Sequence, residues 1–204
     1  DIGVNVVRTC VLRIWPIVDC ALGGGRVIVE HGNGPQVGDE LVRNEKARSE
    51  VAPLPLGVLV AGTAGWIGYM LQQSLENALR KAGNARDVVT ILTQVEVAAD
   101  DPALQDPKKF IGHGISIARA RELRLQGHPV KKDAKGRLRR VVGSPTPLAI
   151  HELGTIRSLV ERDTVVIACG GGGIPVYRDP LLGLEGVDAV VDKDLAAAVL
   201  AREL

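Results

Sequence analysis

Two glycine-rich turns, each entered directly from a short β-branched run, constrain this chain most. Arg26–Glu30 (RVIVE) leads into His31-Gly32-Asn33-Gly34-Pro35-Gln36-Val37-Gly38. Thr164–Cys169 (TVVIAC) leads into Gly170-Gly171-Gly172-Gly173-Ile174-Pro175. Open α/β sheets bind ligands just beyond the carboxyl ends of parallel strands, where both turns would lie. Glycine lets backbone N–H groups turn toward a ligand, and Pro35 suits the first position of a helix whose N-terminus adds partial positive charge. A single turn of this kind can merely reverse the chain. Four consecutive glycines after a buried strand point instead to an anion site.

The two common nucleotide fingerprints do not match. A dinucleotide fold needs GxGxxG, and here the third glycine (Gly32, Gly34, Gly38) comes one residue late. A P-loop needs a Gly-Lys pair, and the sequence has none. A dinucleotide dehydrogenase therefore stands on fold analogy alone.

Strands and helices alternate along the chain, which predicts an α/β layer fold with a largely parallel sheet. Residues 4–22 read as a buried helix stopped at Gly23-Gly24-Gly25. A helix after Pro35 carries the charged run from Asp39 to Glu50. The uncharged run Val51–Leu75 is long enough to span a bilayer, but its prolines and glycines predict a loop, a buried strand and a helix start. Ile67, Met70, Leu71, Leu75 and Leu79 share one face of a helix over 64–82, capped by Gly83. Asp87–Val97 reads as one strand, 148–162 as a helix, and Ala189–Asp192 as a short strand leading into a final helix. Between about Asp100 and Pro147, charges and turn residues mark an excursion from the main sheet with one helix near Ile115–Gln126.

Charge is balanced, 25 Lys+Arg against 24 Asp+Glu, and aromatic residues make up 2% of the 204 residues. Neither a nucleic-acid surface nor a base-stacking platform is expected from that composition. The basic cluster from Lys131 to Arg140 therefore reads as solvated surface. Cys10, Cys20 and Cys169 form no CxxC and sit by no His pair, so a reducing cytoplasm fits better than a disulfide framework or zinc site. No metal-ligand spacing links His31, His113, His128 and His151. Asp1 as first residue, Met70 as the only methionine and a last helix without a C-cap signal read as a chain cut at both ends.

Val190-Val191-Asp192-Lys193-Asp194 sets a lysine between two carboxylates. Such a lysine is held charged and in place and suits a phosphate clamp, although Asp194 also reads as a plain helix N-cap beside an exposed lysine. Lys108 and Lys109 fall in the excursion, where a solvated loop is the default.

These motifs, in this order, resemble the carbamate kinases of the amino acid kinase family. The matching stretches are HGNGPQVG at 31–38, GWIGYMLQQSLENAL at 65–79, ILTQVEV at 91–97 and DP at 106–107 followed by KKFIG. RRVVGSP at 139–145 and IACGGGGIPV through VDKDLAAAVLA at 167–201 complete the series. The chain departs from the family pattern at Ala64, where Gln is usual, and at Phe110 and Gly143, where Pro is usual.

The resemblance implies an open three-layer αβα sandwich with a mainly parallel sheet, plus a small protruding insert at about 104–146 that covers the substrate site. It implies a homodimer and reversible phosphoryl transfer between carbamoyl phosphate and ADP, giving ATP and carbamate, with Mg²⁺, in arginine or related nitrogen catabolism. By motif position, Lys109 matches the subdomain lysine that reaches the phosphoryl group, Lys193 the lysine on the DKD turn, and Asp194 the aspartate that orients the lysines. Gly32, Asn33, Gly34 and Gly170, Gly171, Gly172 and Gly173 line the pocket, with no protein metal ligand. On this reading residues 1–204 form the substrate-binding lobe, without the family's opening Gly-Gly-Asn strand and C-terminal nucleotide-binding half. The competing expectation is a non-catalytic lobe that binds small anions or pairs with a full-length subunit.

Overall fold

The computed structural model describes residues 15–204; the first part of the expected 4–22 helix and Cys10 lie outside the described residues. Strand β8 (Val165–Ile167) is the centre of a three-stranded, all-parallel sheet, flanked by β1 (Ile28–Val29) and β2 (Val88–Thr90). Successive side chains of a strand point to opposite faces, and this strand shows why it must be apolar on both. Val165 and Ile167 face one way, into a cluster with Leu75, Leu79 and Val18. Val166 and Ala168 face the other, against Ile156, Val199 and Leu200. The first layer is helix α1 (Trp15–Leu22) with α3 (Leu56–Lys81), and the other is α6 (Leu153–Glu161) with α7 (Lys193–Glu203). The result is the expected αβα sandwich.

A second, mixed sheet continues it in the order β10-β9-β3-β7, with β3 at Gln94–Val97, β7 at Pro147–Ile150, β9 at Ile174–Asp179 and β10 at Gly183–Gly186. The β9–β10 hairpin has no counterpart in the pattern expected from sequence. The single strand expected over 87–97 is broken at Ile91–Thr93. There the chain exchanges β8 for β9 as its partner: Ile91 N–H still donates to Ile167 O (2.9 Å), and Ile174 N–H donates to Thr93 O (2.8 Å). The Thr93 hydroxyl bridges the gap, accepting from Cys169 N–H at 3.0 Å.

Three other expectations are corrected. The run after Pro55 contains no strand, because α3 begins at Leu56, and its free N–H donates to Asp188 Oδ1 across the fold at 2.9 Å. Residues 148–150 belong to β7, which pairs antiparallel with β3; Glu152 then accepts from Gln94 N–H (2.7 Å), and the helix starts only at Leu153. Ala189–Asp192 is not a strand but a single bridge between Ala189 and Gly143. No described helix is long and apolar enough to cross a membrane.

The excursion folds as its own antiparallel sheet, β4-β6-β5, from β4 (Lys109–Ile115), β5 (Val130–Lys132) and β6 (Leu138–Val142), with helix α5 (Ile117–Leu125) between β4 and β5. Helix α4 (Pro102–Gln105) precedes it. Ala120, Leu123 and Val130 give it a small core. Its basic residues are partly spoken for: Lys131 pairs with Asp106 (3.1 Å), Arg137 with Asp133 (2.8 Å) and Arg140 with Glu45 (3.1 Å). The insert meets the sandwich through helix α2 (Gly34–Lys46), where Val37 and Leu41 pack with Ile111 and Val142. At the closest point two backbones touch without side chains. Gly112, at φ +65, places its Cβ direction 3.2 Å from Gly38 Cα, and a methyl on Gly38 would fall within the Gly112 backbone.

Candidate functional site

Both glycine turns end strands of the parallel sheet, and the Gly171 N–H donates to His31 O (2.7 Å), tying one turn to the other. Beyond them lies a cavity of about 170 Å³, lined among others by Gly32, Asn33, Gly34, Lys109, Gly171 and Lys193. Gly170, Gly172, Gly173 and Asp194 do not line it. The second turn is a single 3₁₀ turn over Gly170–Gly172. It is entered from Cys169 at φ 51, a left-handed conformation that is costly for a side-chain-bearing residue. Burial, the largest cause, pushes the Cys169 thiol up to about 12, so it stays protonated as a core residue.

Asn33 sits at the N-cap position of α2 yet makes no capping bond. Its Nδ2 donates instead to the buried Thr63 Oγ1 at 3.0 Å, and that hydroxyl in turn donates to Leu59 O and Val60 O. The first turn of α2 therefore keeps N–H groups without a side-chain cap, the arrangement that receives an anion at a helix N-terminus.

Two ammonium groups reach the same cavity from different elements. Lys109, the first residue of β4, pairs with Asp192, and Lys193, the first residue of α7, pairs with Asp194. The aspartates thus divide the work: Asp194 holds Lys193, while Asp192 holds Lys109. Asp192 is also the N-cap of α7, accepting from Asp194 N–H at 3.0 Å, the place sequence reasoning considered for Asp194. The Lys109 hydrogen bond, followed by that backbone N–H, holds the Asp192 carboxyl below the usual range despite opposing burial. Asp194 raises the Lys193 ammonium above its usual range. Lys193 therefore remains charged near neutral pH. Asp192 was missed because its partner lies far away in sequence; only its place at the head of DKD hinted at a role. Phe110 beside Lys109 also lines the cavity, with the Arg139 guanidinium 5.4 Å over its ring.

Glu30, at the end of β1, is a second residue that sequence reasoning passed over. Burial, its largest influence, raises its carboxyl from 4.5 to about 7, against the favourable field of Lys193 and with Asp194 and Asp192 adding to the rise. Its Oε1 is buried with no hydrogen-bond partner among the described residues. Between those two values the folded chain keeps a proton that the unfolded chain releases, so stability falls as pH rises from 4.5 to about 7 and then levels. Glu30→Gln is expected to flatten that decline. Urea midpoints at about pH 5 and about pH 8 check it, and parallel slopes in wild type and variant would refute it.

Among the described residues no three His, Cys, Asp or Glu side chains gather as metal ligands. The site offers fixed positive charge and turned backbone donors, with no activated nucleophile. Together, sandwich and insert have the form of an amino acid kinase domain.

No family model matches the chain. It is 48% identical over 180 residues to carbamate kinase 1 of Enterococcus faecium, covering 88% of this chain and 57% of that protein. Carbamate kinase of Pyrococcus furiosus is 44% identical over 191 residues, covering 92% and 60%. The carbamate kinase of Giardia lamblia bound to citric acid superposes with a TM-score of 0.87 at 36% identity, over 98% of this chain and 63% of that one. Its AMP-PNP-bound form gives 0.82. The chain spans about three-fifths of the length of these relatives. Over that span it is homologous to the carbamate kinases.

Proposed function

We propose that the chain forms the substrate-binding lobe, with a covering subdomain at about 104–146, of a kinase transferring a phosphoryl group between carbamoyl phosphate and ADP. The observation that carries this reading is the pair of lysines, each locked by its own aspartate, facing two glycine turns and an uncapped helix N-terminus. Phosphoryl transfer asks a protein for positioning and for positive charge around the equatorial oxygens. Lys109 and Lys193 supply that charge, and Gly32, Asn33 and Gly34 supply close backbone approach. The bond between phosphorus and the carbamoyl oxygen breaks, its electron pair leaves with carbamate, and a β-phosphate oxygen of ADP forms the new bond. No proton needs to move.

Adenine nucleotide, with Mg²⁺ arriving on it, is the second substrate on this reading, supported by the family and by the AMP-PNP-bound relative. A homodimer, a cytoplasmic setting and a role in arginine or related nitrogen catabolism go with the same reading. ATP formation from carbamoyl phosphate and MgADP, followed in a hexokinase-coupled assay, tests it. ATP that appears only with carbamoyl phosphate supports the kinase. A folded chain that forms none even when completed with a nucleotide-binding half overturns it and leaves an anion-binding lobe.

A further inference from the structure

A second cavity, larger than the cradle, lies beside it. On the other side of β4, between that strand and α2, lies a cavity of about 410 Å³, within the range of small-molecule sites. Ile111 lines both cavities, so one strand separates them. The wall is apolar where Leu41, Ile111 and Leu123 meet, all three buried.

The polar part of this wall is unbalanced. Arg119 and Arg140 share one carboxylate, Glu45, and Lys46 beside them has no carboxylate partner among the described residues. Arg119 has a second partner in Glu122 at 2.6 Å. Arg140 has no second carboxylate; its other contact is His128 Nδ1 at 3.2 Å, and its Nε–H is buried with no acceptor among the described residues. Three cations, Lys46, Arg119 and Arg140, thus line the cavity against one lining carboxylate, Glu45, and a ligand's anionic head group would complete the pairing. Burial also holds the Arg140 guanidinium below its usual range despite Glu45 and Asp188, with Arg119 adding to the fall.

We propose that this cavity binds a small apolar carboxylate, its head group on Arg140 and its hydrocarbon between Leu41, Ile111 and Leu123. The site is independent of the phosphoryl-transfer reading, since none of the residues named for that chemistry lines it.

Titration calorimetry with octanoate, using octanol as the uncharged comparator, tests the assignment. Saturable octanoate binding is expected, with octanol weaker by about tenfold or more, as one lost charge-assisted hydrogen bond implies. Arg140→Lys keeps a positive charge near Glu45 but removes the planar guanidinium fork, and the same tenfold weakening is expected. Val42→Trp enters from a half-exposed wall position and fills the space, so binding is lost while the thermal midpoint shows the chain still folded. Absence of saturable octanoate binding to the folded wild type overturns the site. Unchanged binding in folded Val42→Trp places the ligand elsewhere and overturns it too, and octanol binding as tightly as octanoate overturns the carboxylate assignment.

Discussion

Alanine at Gly171 is expected to lower stability by about 3 kcal/mol, since left-handed strain and overpacking each contribute about 1–3. The position has φ +70, and a methyl there would overlap the Asn33 side chain. Asn33 is buried and cannot step aside without losing its bond to Thr63, so the penalty reaches into α3. In a chain of this size the melting temperature should fall by about 10 °C. Gly34→Ala is the control, because its methyl meets nothing within 4 Å. Thermal melts of the two variants decide the matter: equal midpoints would remove the steric account.

The second large effect is on rate. In the chain completed with a nucleotide-binding half, Lys193→Ala is expected to reduce ATP formation from carbamoyl phosphate by about 10³-fold, the range for removing a preorganised positive group from a transferring phosphoryl. The loss should fall on kcat, with the fold intact, because Lys193 is half-exposed and stabilises α7 little. Asp192→Asn should cost less, about tenfold, since it frees Lys109 without removing it. An unchanged kcat in Lys193→Ala would take that lysine out of the chemistry. A rate falling with melting temperature instead would make its role structural.

The parts of the fold legible in the sequence are those coded locally. RVIVE and TVVIAC are apolar on both faces because the parallel sheet is covered on both, and both glycine turns stand where that pattern ends. Helix α3 starts eight residues before the position that its sequence pattern predicts, at Leu56 instead of 64. Pro53, Pro55, Gly57 and Gly62 look like breakers, but the helix start is satisfied by Asp188, a residue from the far end of the chain. Gly68, within the same helix, is where α3 lies close against Thr90. The break between β2 and β3 was invisible for a related reason. Ile91–Thr93 is as apolar and β-branched as its neighbours, and only the partner strands show that pairing changes there.

The candidate site divides in the same way. The two glycine turns stand out by spacing, whereas Asn33 and Lys193 become site residues through family resemblance, because DKD alone also reads as a plain helix N-cap beside an exposed lysine. Lys109 came from family resemblance, since nothing local separates it from Lys108, which the structure pairs with Asp106 at 2.6 Å outside the cavity. Asp192 and Glu30 became visible only in three dimensions, one through a lysine from a distant strand, the other through burial beside it.

The meeting of Gly38 and Gly112 carries a consequence for inheritance. Where side chains face each other, a change on one surface can be answered by a smaller partner on the other. Here each partner already has no side chain to give up. Any relative that seats its insert at this height has to hold glycine at both positions. Departure at one alone should coincide with an insert hinged outward and Lys109 drawn away from Asp192, which makes these two glycines a written record of how closely the insert sits.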